Sequence, residues 1–185
     1  MNFGVFNRQA FQDTWDIVLL QSNSYAFMNY LATSKEIVPE YLINLKINQQ
    51  LQKLQVLDEK LTAVKFNILM ITDEINKPKP AHLTIGAYNA EIFRLREEMA
   101  LSRRNQTLLY QLLRNHAVIF YRLVLYRQRK YNKNASQNDL IVMDRLDFIL
   151  GPRKLPRINS PSLKVTIFPT NAKIRSLGLN PDFYG

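Results

Sequence analysis

The chain has 185 residues, no cysteine and a formal net charge of +10 at pH 7. The absence of Cys excludes disulfides, Cys–zinc sites and thiol catalysis, and the 46% apolar content is that of an ordinary folded chain. Most of the positive charge lies between residues 78 and 134, where the only acidic residues are Glu91, Glu97 and Glu98. This asymmetry indicates an acidic partner. The partner can be a nucleic acid, an acidic protein surface or a lipid head group.

The ends and the apolar runs bear on location. The N-terminus lacks the basic region and long apolar core of a secretion signal, and no apolar run approaches the ~20 residues needed to cross a bilayer. We therefore expect a protein that is not secreted, has no membrane span and resides in a virion or another intracellular particle.

Residues 1–34 are rich in aromatic side chains. Apolar residues at helical spacing predict a helix over Arg8–Leu20, and Ser22 or Asn23 can cap a second short helix that runs through Ala32. Packing of these aromatic rings against the rest of the fold is favoured over a platform on which nucleic-acid bases stack.

Residues 35–134 are predicted to form a long helical hairpin, whose first helix runs from Pro39 to Asn76. Pro39 fits the first turn, and the Lys77–Pro80 segment stops the helix because Pro lacks an N–H. The apolar residues repeat every seven positions, which is typical of a helix packed lengthwise on another. One position of the repeat holds Ile47, Leu54, Leu61, Ile68 and Ile75, and the second holds Ile43, Gln50, Leu57, Val64 and Ile71.

The second helix is predicted from Tyr88 to about Asn134, a stretch without Pro or Gly. Its apolar stripe stays in phase with that of the first helix when the two are folded back on each other. The predicted antiparallel, coiled-coil-like register pairs Ile75 with Tyr88, Ile71 with Ile92, Ile68 with Leu95, Val64 with Met99, Leu54 with Leu109, and Ile43 with Phe120.

Polar residues interrupt this seam. Ser102 and Gln106 are expected opposite Leu57 and Leu61, while Gln50 and His116 are expected one or two layers apart. Such residues pin the register or meet a third helix, as buried polar groups in coiled coils do. The alternative is a ligand or metal site at His116, which is less favoured because the chain has no Cys to complete a metal set.

The end of the second helix interleaves Arg and Lys with Tyr. Such side chains can contact phosphates and stack on bases, or they can solvate a helix end, where cations are favourable. Both interpretations stay open. The candidate contacts to nucleic acid or to another acidic partner are Arg122, Arg127, Arg129, Lys130 and Lys133, together with Arg153, Lys154 and Arg157 further along the chain.

Residues 135–150 are predicted to form a short helix, with Ser136 as its N-cap and Gly151-Pro152 as its end. Residues 151–185 are predicted to be an extended basic arm, because five of the eight Pro lie there, and Leu163–Phe168 is predicted to be a short strand. We expect the arm to dock on a partner and to be ordered only there. Its expected apolar anchors are Phe168, Leu177, Leu179, Phe183 and Tyr184.

The sequence contains no motif for phosphate binding, zinc-dependent hydrolysis or nucleophilic catalysis. We therefore predict no catalytic, cofactor-binding or metal site. An all-α hairpin with a basic helix end and an arm recurs in virion connector and capsid-associated proteins and in ribosomal proteins. These features favour a non-enzymatic assembly subunit of a large nucleoprotein particle, most of all a virion neck, connector or capsid-associated component in a homo-oligomer or hetero-complex. The alternative is an RNA-binding, organellar ribosomal protein.

Overall fold

Two long helices pack against each other in antiparallel orientation and form the body of the molecule. The computed structural model describes Phe27, Leu31 and residues 38–151 and 169–184. The long helices are α1 (Glu40–Asn76) and α2 (Ile85–Tyr131), and three shorter helices follow: α3 (Gln137–Leu150), α4 (Asn171–Ser176) and α5 (Pro181–Tyr184). Within these residues no β-strand occurs, so the predicted all-α class and the helical hairpin are confirmed.

The helix ends follow local chemistry. α2 begins at Ile85 rather than Tyr88, because the Thr84 hydroxyl accepts a hydrogen bond from the Ala87 amide at 3.1 Å. It ends at Tyr131, before the predicted boundary, because Asn132 adopts the left-handed conformation with φ 56°. The predicted cap of α3 is confirmed: Ser136 forms a reciprocal capping box with Asp139.

The buried apolar residues fall into two groups along the hairpin. We call residues 62–76 and 85–106, with the loop between them, the tip, and residues 40–61 and 107–131 the base. The main core lies in the base, where α1 and α2 are joined by α3, α4 and α5. The tip has a small core of its own, made of residues that the heptad pattern placed in the seam: Ile71, Leu95 and Met99, with Ile68, Ile75 and Ile92 packed around them.

The C-terminal segment departs from the predicted extended arm. Residues 171–176 and 181–184 are helical, and Ile174, Leu179 and Tyr184 are buried in the core of the base. Pro181 does not interrupt α5, because it occupies the first position of the helix, where a missing N–H costs nothing. Thr170 likewise caps α4 by accepting a hydrogen bond from the Lys173 amide.

Two of the expected partner anchors, Leu179 and Tyr184, therefore lie in the chain's own core, and Leu177 and Phe183 pack against it. Phe168, the strand predicted at Leu163–Phe168 and the basic residues Arg153, Lys154 and Arg157 lie outside the described residues. So do the helices predicted before residue 35, apart from the side chains of Phe27, which is buried, and Leu31.

Candidate functional site: a closed base and an open tip

A buried polar layer fastens the C-terminal helix to the base. The Nε2 atom of His116 lies 3.0 Å from the Tyr184 carbonyl oxygen, and its Nδ1 atom lies 3.0 Å from Oε1 of Gln50. Because the Tyr184 carbonyl oxygen only accepts, the ring donates to it from Nε2. Nδ1 of a neutral ring then accepts, which assigns the Gln50 amide the orientation in which its NH₂ group, rather than Oε1, faces the ring. Burial lowers the pKa of His116 to about 3, so the imidazole is neutral.

This geometry corrects the predicted spacing, since Gln50 and His116 meet directly instead of lying in separate layers. It also gives the buried histidine a structural role, because His116 contacts a third helix, α5. Among the described residues, no three His, Cys, Asp or Glu side chains are grouped as metal ligands would be.

Two buried lysines flank this layer, and the sequence interpretation missed them. Lys46 Nζ lies 4.8 Å from the ring centroid of Phe27, and Lys53 Nζ lies 4.4 Å from that of Phe183. Burial lowers the pKa of Lys46 to about 8. The pKa of Lys53 falls to about 7 through burial and the nearby charge of Lys46. The Lys53 side chain packs against the Phe183 ring and so joins α1 to the C-terminal segment, whereas Lys46 packs against Phe27.

The basic end of α2 is partly consumed inside the fold. Arg127 forms an ion pair with Asp139 and donates to Oδ1 of Asn44 at 3.1 Å. Arg127, which was predicted to contact an acidic partner, joins α2 to α1 and α3 through these contacts. The hydroxyls of Tyr126 and Tyr131 are also occupied: both bond to the Val38 backbone just before α1.

The other predicted cations at this end remain on the surface. Arg129, Lys130 and Lys133 are exposed, and within the described residues none of them forms an ion pair. Arg122 is half-buried, and burial lowers its pKa. These four residues are what remains, in the described part, of the predicted basic contact set.

The tip presents large apolar side chains to solvent. Phe66, Leu69, Phe93 and Leu101 are between 55% and 64% exposed, and they lie on the outer faces of α1 and α2. The spacing of Phe66, Leu69 and Met70, at positions three and four residues apart, is a second apolar stripe on the side of α1 away from the seam. A search for such a stripe in the sequence would have found this surface.

A groove runs between α1 and α2 on one side of the tip. It has a volume of about 520 Å³ and is lined by Thr72, Ile75, Arg96, Met99, Ala100 and Arg103. The floor is apolar and the two arginines stand at its edge. Ser102, at the inner end of the tip, accepts a hydrogen bond from Asn67 at 2.9 Å.

The groove continues the side of the hairpin on which α3 lies. Leu51, Asp58, Lys65 and Thr72 are each seven residues apart and so share one line along α1. In the base, Leu51 and Asp58 face α3, and the Arg145 guanidinium donates two hydrogen bonds of 3.1 Å to Asp58. Lys65 lies over the ring of Tyr110 at 5.2 Å, and Thr72 lines the open groove.

Comparison with known proteins gives no further guide to the role of these surfaces, since neither a family model, a curated protein nor a solved structure matches the chain. In the part of the chain that is described, no helix is both long enough and apolar enough to cross a membrane.

Proposed function

We propose that the protein is a non-enzymatic structural subunit of a large nucleoprotein particle, in particular a virion component such as a neck or connector subunit or a capsid-associated protein. One observation carries the proposal: of the large apolar side chains that stay exposed on the two long helices, most lie in the tip, and both helices contribute to them. The base holds the main core, although α3 also exposes Ile141 and Phe148. A tip with this much exposed apolar surface is suited to docking on a neighbouring protein.

The energetics of the tip support a protein neighbour. Soluble monomers rarely expose contiguous apolar patches of large side chains. Full burial of one such side chain contributes about 1.5–3 kcal/mol relative to leaving it exposed, so a neighbour that covers two of them contributes several kcal/mol. The tip core has only three buried apolar side chains, and a partner would add to the packing of this half of the hairpin.

The opposite end of the molecule supports a neighbour with negative charge. Arg129, Lys130 and Lys133 lie at the end of α2, more than twenty residues along the helix from the tip. A subunit with an apolar tip and a basic base has two different contact surfaces, as a component between protein and nucleic acid needs.

The second candidate, an RNA-binding ribosomal protein of an organelle, rests on this same basic end. The tyrosines favour the first candidate over it. The Tyr126 and Tyr131 hydroxyls bond to the Val38 backbone and both residues are half-buried, while Tyr121 is buried. These rings are therefore less available for stacking on RNA bases, so the described basic end offers mainly charge contacts.

Sedimentation of the protein from its native cells tests the proposal. The chain carries an N-terminal epitope tag, and the lysate is divided into samples with and without ribonuclease before centrifugation. We expect the protein to sediment with a large particle in both samples. Release by ribonuclease would favour the ribosomal candidate, and sedimentation as a free chain would contradict both.

A pair of matched variants connects the result to the tip. Phe93→Ser removes an exposed apolar side chain from the tip, and Phe148→Ser makes the same change at an 81% exposed position of α3. We expect Phe93→Ser to reduce the fraction of protein in the particle and Phe148→Ser to leave it unchanged. Equal behaviour of the two variants would contradict docking through the tip.

A further inference from the structure

We propose that the groove lined by Thr72, Ile75, Arg96, Met99, Ala100 and Arg103 binds an acidic amphipathic helix of a partner protein. The inference rests on the proposed role of the chain as an assembly subunit, and it names the chemistry of the partner that the tip receives.

The chain itself demonstrates what this side of the hairpin accommodates. In the base, α3 faces the line of Leu51 and Asp58 across a cleft whose apolar lining includes Leu54 and Leu146. An ion pair between Arg145 and Asp58 fixes it at the edge. The same line continues through Lys65 to Thr72, where α3 has ended and the groove is open. A helix from another chain extends this pattern into the tip.

The floor of the groove suits a helix. Ile75 and Met99 provide apolar surface, and Ala100 is small enough for the backbone of another helix to come close. Phe93 lies seven residues, or about two turns, before Ala100 on α2, so the two share a face of the helix. Phe93 is more than half exposed and extends the apolar surface beyond the groove.

Charge selects an acidic occupant. Arg96 and Arg103 are exposed and form no ion pair with any other described residue. They are seven residues apart, which is about 10 Å along α2. Of the neighbouring carboxylates on α2, Glu91 and Glu98 are paired with Arg94, and Glu97 follows Arg96 directly, so its side chain points about 100° away around the helix. A partner helix with carboxylates two turns apart matches this pair of arginines, as charged flanking positions match in coiled coils.

The alternatives fit less well. A second copy of the chain, with a net charge of +10, would bring further positive charge to a basic edge. Single-stranded nucleic acid takes grooves that combine cations with aromatic rings, whereas the floor here is aliphatic. A protein helix with an apolar stripe and acidic flanks satisfies both the floor and the edge.

Fluorescence anisotropy on the purified full-length chain tests the inference. The probe is a synthetic helical peptide of three heptads, with Leu at the two seam positions and Glu at the flanks. The control peptide has Lys in place of Glu. We expect the Glu peptide to bind at least about tenfold more tightly than the Lys peptide, since like charges at an interface are unfavourable.

Three variants locate the binding. Arg96→Glu with Arg103→Glu reverses the edge of the groove, whereas Arg104→Glu with Arg175→Glu makes the same change in charge at exposed positions that do not line it. We expect about a tenfold loss of affinity for the Glu peptide in the first and less than about twofold in the second. Ala100→Trp fills the groove without changing charge and should abolish binding. Circular dichroism verifies that each variant retains its helicity.

Several results would overturn the inference. Equal binding of the two peptides, or equal losses in the two double variants, would show that the groove does not select an acidic helix. If the chain binds a single-stranded RNA instead of the peptide, and Arg96→Glu with Arg103→Glu abolishes that binding, the groove is a nucleic-acid site. If the chain self-associates in analytical ultracentrifugation, and Ala100→Trp abolishes the association, the groove binds a second copy.

The peptide assay and the sedimentation assay fail independently. If the chain sediments in a particle but the purified protein does not select the Glu peptide, the groove inference is wrong and the proposed function stands. If the peptide binds but the chain sediments alone, the proposed particle is wrong and the groove remains a site for an acidic helix.

Discussion

Replacement of Lys53 by Met is expected to stabilise the protein near neutral pH and to weaken the dependence of its stability on pH. Lys53 is fully buried beside the Phe183 ring, and its pKa is lowered from 10.5 to about 7. Met has a similar unbranched shape and carries no charge, so it keeps most of the packing while it removes the desolvation of the ammonium group.

The magnitude follows from proton linkage. Between about pH 7 and the unfolded pKa of Lys near 10.4, the unfolded chain holds a proton on Lys53 that the folded chain has lost. The free energy of unfolding therefore rises with pH in this range, by at most about 1.4 kcal/mol per pH unit. From about pH 7.5 to about pH 9.5 the contribution of Lys53 amounts to roughly 2 kcal/mol.

Urea unfolding followed by far-UV circular dichroism measures the effect at several pH values within this window. Burial raises the pKa of Tyr121 and of Tyr184, so both hydroxyls stay protonated there. The control is Lys65→Met, the same substitution at an exposed position of α1. A wild-type stability that does not rise with pH, or a Lys53→Met variant with the wild-type slope, would refute the reasoning.

Three further predictions concern the fold. Burial lowers the pKa of His116 to about 3, so below about pH 6.5 the unfolded chain binds a proton that the folded chain excludes. We therefore expect the free energy of unfolding to fall as the pH decreases to about 4, and to fall less steeply in His116→Gln. Identical slopes in acid titrations of the two proteins would contradict this. Deletion of residues 169–185 removes Ile174, Leu179 and Tyr184 from the core, so it should lower the melting temperature measured by calorimetry. An unchanged melting temperature would indicate that the segment is an external arm. Ile71→Ala should cost about 2–5 kcal/mol in urea unfolding if the tip core is as well packed as the base, and a loss under about 0.5 kcal/mol would show that the tip packs only with its partner.

The seam of the hairpin could be predicted because it is a local, repeating signal. Isoleucine and leucine recur every seven residues in α1, and few alternatives bury all of them. The same holds for the cap at Ser136 and the end of α3 at Gly151, which depend on neighbours within four residues.

The closure of the base could not be predicted by the same means. Lys46 and Lys53 are lysines beside the seam, and a pattern of apolar residues assigns lysines to solvent. They are buried because aromatic rings distant in sequence, Phe27 and Phe183, cover them. The ion pair of Arg127 could not be predicted for the same reason, since its carboxylate partner Asp139 lies on another helix, α3.

The exposed apolar surface of the tip could be predicted only in part. Phe66, Leu69 and Met70 are adjacent in the helical repeat, so their stripe is visible in the sequence. Whether another part of the chain covers them depends on where α3 and the C-terminal helices pack. Those helices pack on the base, which leaves the stripe exposed.

Photo-crosslinking in the native particle tests most directly the claim that the tip docks on a protein neighbour. Benzoylphenylalanine is incorporated at Phe93 of the tip or, as a control, at Phe148 of α3, and the products are identified by mass spectrometry after nuclease treatment. We predict crosslinks from position 93 to another protein of the particle and few or none from position 148. Crosslinks from position 93 to nucleic acid alone, or none at all while position 148 reacts, would contradict the account.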